Sequence, residues 1–173
     1  MTYPWYSSYP EGVPEKINEK EYNSIVDLID QSYEKYADKP AFHCMGKTYN
    51  YSEIDQLSKK FAAYLQHNLK LEKGARVALM MPNILQYPIA LFGVLRAGMV
   101  AVNVNPLYTD RELEHQLKDA GVEAIVIFEN SAHILEKVRA KTGVKHVITT
   151  GIGDLLGFPK SLIVNFVIKH VKK

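Results

Sequence analysis

The chain has 173 residues, enough for one domain with a real core, and it is 47% hydrophobic and 23% charged, as ordinary globular proteins are. A net charge of +2 is too small to argue for binding to DNA or RNA, and no nucleic acid partner is expected. The single cysteine, Cys44, excludes an internal disulfide, and no apolar run approaches the roughly 20 residues of a membrane-spanning helix.

The leader MTYPWYSSYPEGVPEK sets Pro4, Pro10 and Pro14 among Tyr3, Trp5, Tyr6 and Tyr9. Prolines at this spacing disfavour a helix or a paired strand. With no basic start and no apolar centre, it does not read as a signal peptide. Residues 1–22 are therefore expected to be an extended arm. Either the arm is a disordered leader, or its Trp5, Tyr6 and Tyr9 dock on a surface.

Residues 23–154 read as an α/β subdomain. Ser24 opens a helix, with Asp27 as its capping partner, and Ile25, Leu28, Ile29, Tyr33 and Tyr36 share one face. Ala41–Met45 and Lys47–Tyr51 read as a hairpin turning at Met45-Gly46-Lys47. Ser52 is expected to cap the next helix, with Asp55 at the matching position. Its apolar face is Ile54, Leu57, Phe61, Ala62, Tyr64, Leu65 and Leu69.

The stretch from Gly74 to Pro106 reads as strand, crossover helix and parallel strand. The runs Arg76–Met81 and Met99–Val104 show no polar alternation, which points to strands covered on both faces. The helix between them holds Pro88, and an interior proline costs roughly 3 kcal/mol. Either its first regular turn begins near Tyr87, or it kinks there. Arg96 supplies a cation to the last turn and Gly98 a left-handed cap. Thr109-Asp110-Arg111-Glu112 is a capping box opening a further helix that Gly121 ends. Glu123–Glu129 is a third strand. Asn130 or Ser131 caps the helix Ala132–Thr142, and Lys145–Thr150 is a fourth strand. This alternation predicts right-handed parallel crossovers. The expected fold is α/β: a mostly parallel sheet with helices on both faces, plus an N-terminal hairpin.

Residues 155–173 form a basic amphipathic segment. In Ser161–Lys173 the polar Ser161, Asn165, Lys169 and Lys172 make a narrow stripe on an otherwise apolar helix. Such a helix wants a partner over most of its surface, and a helix of this composition can also lie on an anionic membrane.

Candidate chemistry is sparse. Cys44 lies among Phe42, His43 and Met45 and reads as a small buried hydrophobe. Gly151-Ile152-Gly153-Asp154-Leu155-Leu156-Gly157 follows a strand, but its third glycine comes one place late for a dinucleotide loop. Glu112 and His115 have the spacing of a di-iron helix without a second copy. A solvated helix face explains them better. Asn83, Asn103, Asn105 and Tyr108 sit at strand ends, where ligands of such sheets bind. Asparagine before proline also serves turns. No catalytic, cofactor-binding or metal-ligating residue is assigned.

Together these residues carry a resemblance. LMMPNILQYPIALFGVLRAGMVAVNVNPLYTDRELEHQLKDAGVEAIVI resembles the N-terminal part of the adenylate-forming acyl-CoA synthetases. The matching pieces are Lys47-Thr48-Tyr49-Asn50-Tyr51-Ser52-Glu53, Gly74 before Arg76-Val77-Ala78, Pro82-Asn83, Ala97-Gly98, Asn105-Pro106-Leu107-Tyr108 and Glu112-Leu113. The opening Trp5 with Tyr9-Pro10-Glu11-Gly12-Val13-Pro14 is similar to bacterial long-chain fatty-acid–CoA ligases. The resemblance implies fatty acid and ATP giving acyl-adenylate and pyrophosphate, with the thiol of coenzyme A then taking the acyl group. It also implies Mg2+, a cytoplasmic setting with peripheral contact at the inner membrane through 155–173, and a homodimer formed through the arm. The family holds ATP with a loop resembling T-S-G-T-T-G-x-P-K and adds a Y-G-x-T-E segment, a hinge acid and a C-terminal lysine. None of these motifs occurs in the 173 residues. The chain is thus expected to be an N-terminal fragment, inactive alone and without a cofactor of its own. A dimerising or membrane-associating module and a flavodoxin-like nucleotide-binding domain are the alternatives.

Overall fold

The structure, a computed structural model, describes residues 3–170. Thr2 and, in the expected last helix, Val171, Lys172 and Lys173 lie outside the described residues. In the arm, Pro4–Ser8 forms a short 3-10 helix that sequence reading did not expect. Its aromatic rings stack on one another, Tyr3 on Trp5 at 4.6 Å and Tyr6 edge-on to Tyr3 and Tyr9.

Helix α1 (Ile25–Lys35) starts where expected, with Ser24 Oγ accepting from the Asp27 amide. Asp27 reaches one residue further back, to the backbone N–H of Asn23. Strands β1 (Pro40–Cys44) and β2 (Lys47–Asn50) form the hairpin. Its two-residue turn puts Met45 and Gly46 both at positive φ, 49° and 75°, as a type I′ turn requires.

Helix α2 (Tyr51–Ala63) begins two residues before the expected start. Asn50, not Ser52, is its cap: Asn50 Oδ1 accepts from the Glu53 amide, and Glu53 returns the bond to the Asn50 N–H. The amides of Tyr51 and Ser52 donate to the carbonyls of Lys39 and Ala37, so the first turn is satisfied before Ser52 could cap it. A π turn at Tyr64–Asn68 continues α2. The wider turn buries Leu65 completely but leaves Tyr64 exposed, contrary to the expected face.

Strand β3 (Arg76–Met80) leads into helix α3 (Gln86–Arg96). Pro88 falls in the first turn of α3, where its missing N–H has no partner to lose, so there is no kink. The end of α3 is a Schellman motif: Met99 N–H donates to Val94 O, Gly98 N–H to Leu95 O, and Gly98 sits at φ 74°. Strand β4 (Val100–Asn103) and helix α4 (Asp110–Asp119) follow. The predicted Thr109–Glu112 capping box is present. Strand β5 (Ala124–Phe128) runs into a 3-10 turn, Glu129–Ser131, and helix α5 (Ala132–Val138). Ser131 does not cap α5, because its backbone is already helical and its hydroxyl donates to Pro106 O. A 3-10 turn at Arg139–Lys141 replaces the expected last helical turns. Strand β6 (His146–Thr150) and helix α6 (Lys160–His170) complete the described chain.

The sheet order is β4-β3-β5-β6, with every pairing parallel. Side chains alternate cleanly across it. Val77, Leu79, Ala124 and Val126 join Leu65, Ala90 and Val94 in the core under α2 and α3. Ala78, Met80, Ile125 and Ile127 join Leu113, Leu117 and Leu135 under α4 and α5. Helix α1 adds an outer layer through Ile29 and Tyr33 on Ile54 and Ile89. The result is the expected three-layer α/β arrangement with an antiparallel hairpin beside it. No helix among the described residues is long and apolar enough to cross a membrane.

The helix caps set an acid limit. Asp27 is held below its usual value of 3.8, chiefly by the Asn23 backbone N–H, and Glu112 below 4.5, chiefly by the Thr109 backbone N–H. A lowered carboxylate stabilises the fold above its unfolded pKa, and that contribution is lost as the pH falls through the lowered value. Stability is therefore expected to be level near neutrality and to decline below about pH 4.5. Urea midpoints at pH 7 and pH 3 check this. Glu112→Gln should show a smaller fall between the two, and an equal fall would remove the cap from the explanation.

Candidate functional site

Helix α3, after β3, lies on one face of the sheet, while α4 and α5 lie on the other. The chain thus leaves β3 and β5 toward opposite faces, and a crevice opens beyond their carboxyl ends. A cleft of about 490 Å³ lies at this edge, on the β5–β6 side. Glu129, Asn130 and His133 line it after β5, Gly151 and Ile152 after β6, and α6 closes it with Asn165, Ile168 and Lys169. An apolar pocket of about 210 Å³ lies between α2, α3 and the sheet, lined by Leu57, Phe61, Ile89, Val126 and Ile148 among others.

The asparagines singled out from sequence do not meet in the cleft. Asn105 Oδ1 accepts from the Leu107 amide, an Asx turn. Asn103 Oδ1 accepts from the Tyr87 hydroxyl, and its carbonyl from Gln116 Nε2. Asn83 is exposed after β3, and Tyr108 packs against the core under α4 and α5. Glu112 is spent on the α4 cap and His115 is exposed, which fits a solvated helix face. Cys44 is half-buried rather than enclosed, in a small pocket beside Ile84, Leu85 and Pro88.

The glycine-rich loop carries an anion of its own. Asp154 Oδ2 accepts from the Gly151 amide at 2.7 Å and from Thr150 Oγ1 at 3.0 Å. The Gly153 amide donates to Asn165 Oδ1 at 2.7 Å, and Asn165 Nδ2 donates to Asp154 Oδ1 at 2.7 Å. Two of the loop's amides, those of Gly151 and Gly153, are therefore already taken. The glycines have another cause. A Cβ on Gly151 would stand 2.9 Å from Asn165 Oδ1, and one on Gly153 would stand 2.7 Å from both that atom and Ser161 O. Neither glycine is at positive φ, so space rather than backbone freedom selects it.

His133 Nδ1 lies 2.8 Å from the Asn130 carbonyl, which can only accept, so Nδ1 carries the hydrogen and Nε2 is free toward solvent. Glu129 and Lys169 face each other at 3.8 Å, both well exposed. These groups can hold a polar ligand, but no nucleophile with an adjacent base is among them. No group of three His, Cys, Asp or Glu side chains among the described residues can hold a metal ion. Among the described residues there is thus no ready-made set of three such ligands for the Mg2+ that the resemblance implies.

Four side chains matter that sequence reading missed in these roles. Arg96, expected only to complement the helix dipole, bridges Asp30 at 2.5 Å and Asp55 at 2.6 Å and lies over the Tyr33 ring. Its partners are far away in sequence, so no local spacing could show them. Burial pushes the Tyr33 phenol well above its ordinary range. Gln86 Nε2 reaches across the crevice to Gly151 O at 2.7 Å, leaving its Oε1 buried without a partner. Asn165, read as part of a narrow polar stripe, faces inward.

A family model described as "AMP-binding enzyme" matches residues 29–172. The chain is 58% identical over 169 residues to a long-chain-fatty-acid–CoA ligase of Escherichia coli O6:H1, covering 98% of this chain and 30% of that protein. It is 54% identical over 169 residues to the ligase of the same description from Haemophilus influenzae, with the same coverage. Among solved structures, a long-chain-fatty-acid–CoA ligase from Archaeoglobus fulgidus superimposes with a TM-score of 0.65 at 26% identity, over 82% of this chain and 29% of that one. The chain thus spans 30% of the length of the curated ligases it is compared with here.

Proposed function

Because the chain belongs to the AMP-binding enzyme family, we propose that it forms the N-terminal α/β part of an ATP-dependent long-chain fatty-acid–CoA ligase. The carrying observation is the 58% identity over 98% of this chain to a ligase of that specificity. In this reading the segment is scaffold. It sets the parallel sheet, fixes the strand-end cleft, and offers one wall to an active site completed by other parts of the polypeptide. Two features support a supporting role rather than a catalytic one. The Gly151 and Gly153 amides are taken by Asp154 and Asn165, and the cleft holds no paired nucleophile and base. Fatty acid, ATP and coenzyme A are the substrates proposed for the whole ligase.

The coding DNA beyond Lys173 tests this reading. The frame is expected to continue into a segment resembling T-S-G-T-T-G-x-P-K. A stop codon directly after Lys173, with no such segment encoded nearby, would overturn it.

A further inference from the structure

We propose that α6 is a hinged cover over the strand-end cleft, latched by the Asn165 side chain and turning at Gly157. No residue of α6 is buried, and Leu162, Ile163 and Phe166 all face out. The helix is therefore not sealed to the sheet by apolar contact. It is held instead by polar ones: the two 2.7 Å bonds of Asn165 to Gly153 and Asp154, the Lys160 ammonium on the Met45 carbonyl, and the exposed Lys169–Glu129 pair. Of these only the Asn165–Gly153 bond is half-buried; the other three contacts are exposed.

The chain before α6 is fixed differently. Leu156 is buried, Leu155 packs on the core under α1, and its carbonyl accepts from the Tyr49 hydroxyl at 3.0 Å. Gly157 follows at φ 79° with open space around it. Anchored chain thus meets weakly held chain at a residue free to change its backbone angles. Gly151 and Gly153 complete the device, because a methyl group at either would meet the Asn165 amide. Since α6 supplies Asn165, Ile168 and Lys169 to the cleft wall, swinging it outward opens Glu129, Asn130 and His133 to a ligand without exposing the core.

Hydrogen exchange with peptide resolution tests the latch on the chain itself. In Asn165→Ala, the amides of residues 160–170 are expected to exchange at least ten-fold faster than in the parent, with β3 and β5 unchanged. Gly151→Ala should have the same effect alone and add nothing when combined with Asn165→Ala, because the two act on one contact. Three results would overturn the proposal: α6 amides already unprotected in the parent, α6 protection unaffected by Asn165→Ala, or faster exchange spreading into β3 and β5. Full additivity of the two substitutions would overturn it as well.

Discussion

Arg96→Ala is expected to destabilise the fold by about 3 kcal/mol, the scale for breaking a largely desolvated ion pair. For a chain of this size that corresponds to a fall in Tm of roughly 6–12 °C. The Arg96 side chain is only 9% exposed, and Asp55 is 19% exposed. Removing the guanidinium leaves the Asp55 carboxylate in poor solvent, with only Lys59 at 2.7 Å to compensate. It also removes the cation from the face of Tyr33 and the tie among α1, α2 and α3. Asp30 is 49% exposed, so Asp30→Asn should cost less than about 1 kcal/mol. Lysine at position 96 should restore only part of the loss, because an ammonium stacks on the Tyr33 ring less well than the planar guanidinium. Thermal unfolding of the three variants checks this order. An Arg96→Ala Tm within about 2 °C of the parent would show that the bridge does not hold the helices together.

Gly93→Val is expected to cost about 3 kcal/mol by overpacking, and Gly93→Ala about 1 kcal/mol. Helix propensity alone predicts the opposite for alanine, a gain of about 1 kcal/mol. Close approach decides the sign. A Cβ on Gly93 would stand 2.7 Å from Phe61 Cδ1 and 3.0 Å from the Ser58 carbonyl. The Phe61 ring could turn away, but the Ser58 carbonyl is backbone in the middle of α2 and cannot yield without moving the helix. Gly93 is therefore the point where α3 lies against α2. Urea denaturation of both variants measures the effect, and a higher midpoint for Gly93→Ala would mean that the two helices are not in close contact there.

Much of this architecture was legible in the residues. The run Arg76–Met81 has no polar alternation because both faces of β3 are covered, but the like run Met99–Val104 does not follow that rule: β4 is the sheet edge and its Val100 is 45% exposed. Gly98 and Gly121 marked helix ends because each supplies a left-handed cap. Local competition was harder to resolve. Asn50 and Ser52 are both good caps, and the choice fell to Asn50 because the Lys39 and Ala37 carbonyls meet the next two amides. Such a contact is invisible in a linear pattern.

The candidate site was much less legible, for the same reason. The glycines of Gly151-Ile152-Gly153 fall short of a dinucleotide loop, and nothing in the linear pattern gives them another cause; what approaches them is Asn165, twelve residues beyond Gly153. In α6 the polar stripe was legible, but what each side of the helix meets was not. Asn165 turns inward to Gly153 and Asp154, while Leu162, Ile163 and Phe166 remain in solvent. An apolar stripe shows which residues would bury together, but not whether a partner is present to bury them.

The central claim is that this segment scaffolds a ligase whose chemistry depends on residues elsewhere in the polypeptide. Fatty-acid-dependent exchange of labelled pyrophosphate into ATP by the 173-residue chain tests it most directly, with folding verified by cooperative unfolding in the same preparation. Exchange no faster than the enzyme-free blank is predicted. Exchange clearly above that blank would contradict the claim and place catalytic groups within these residues.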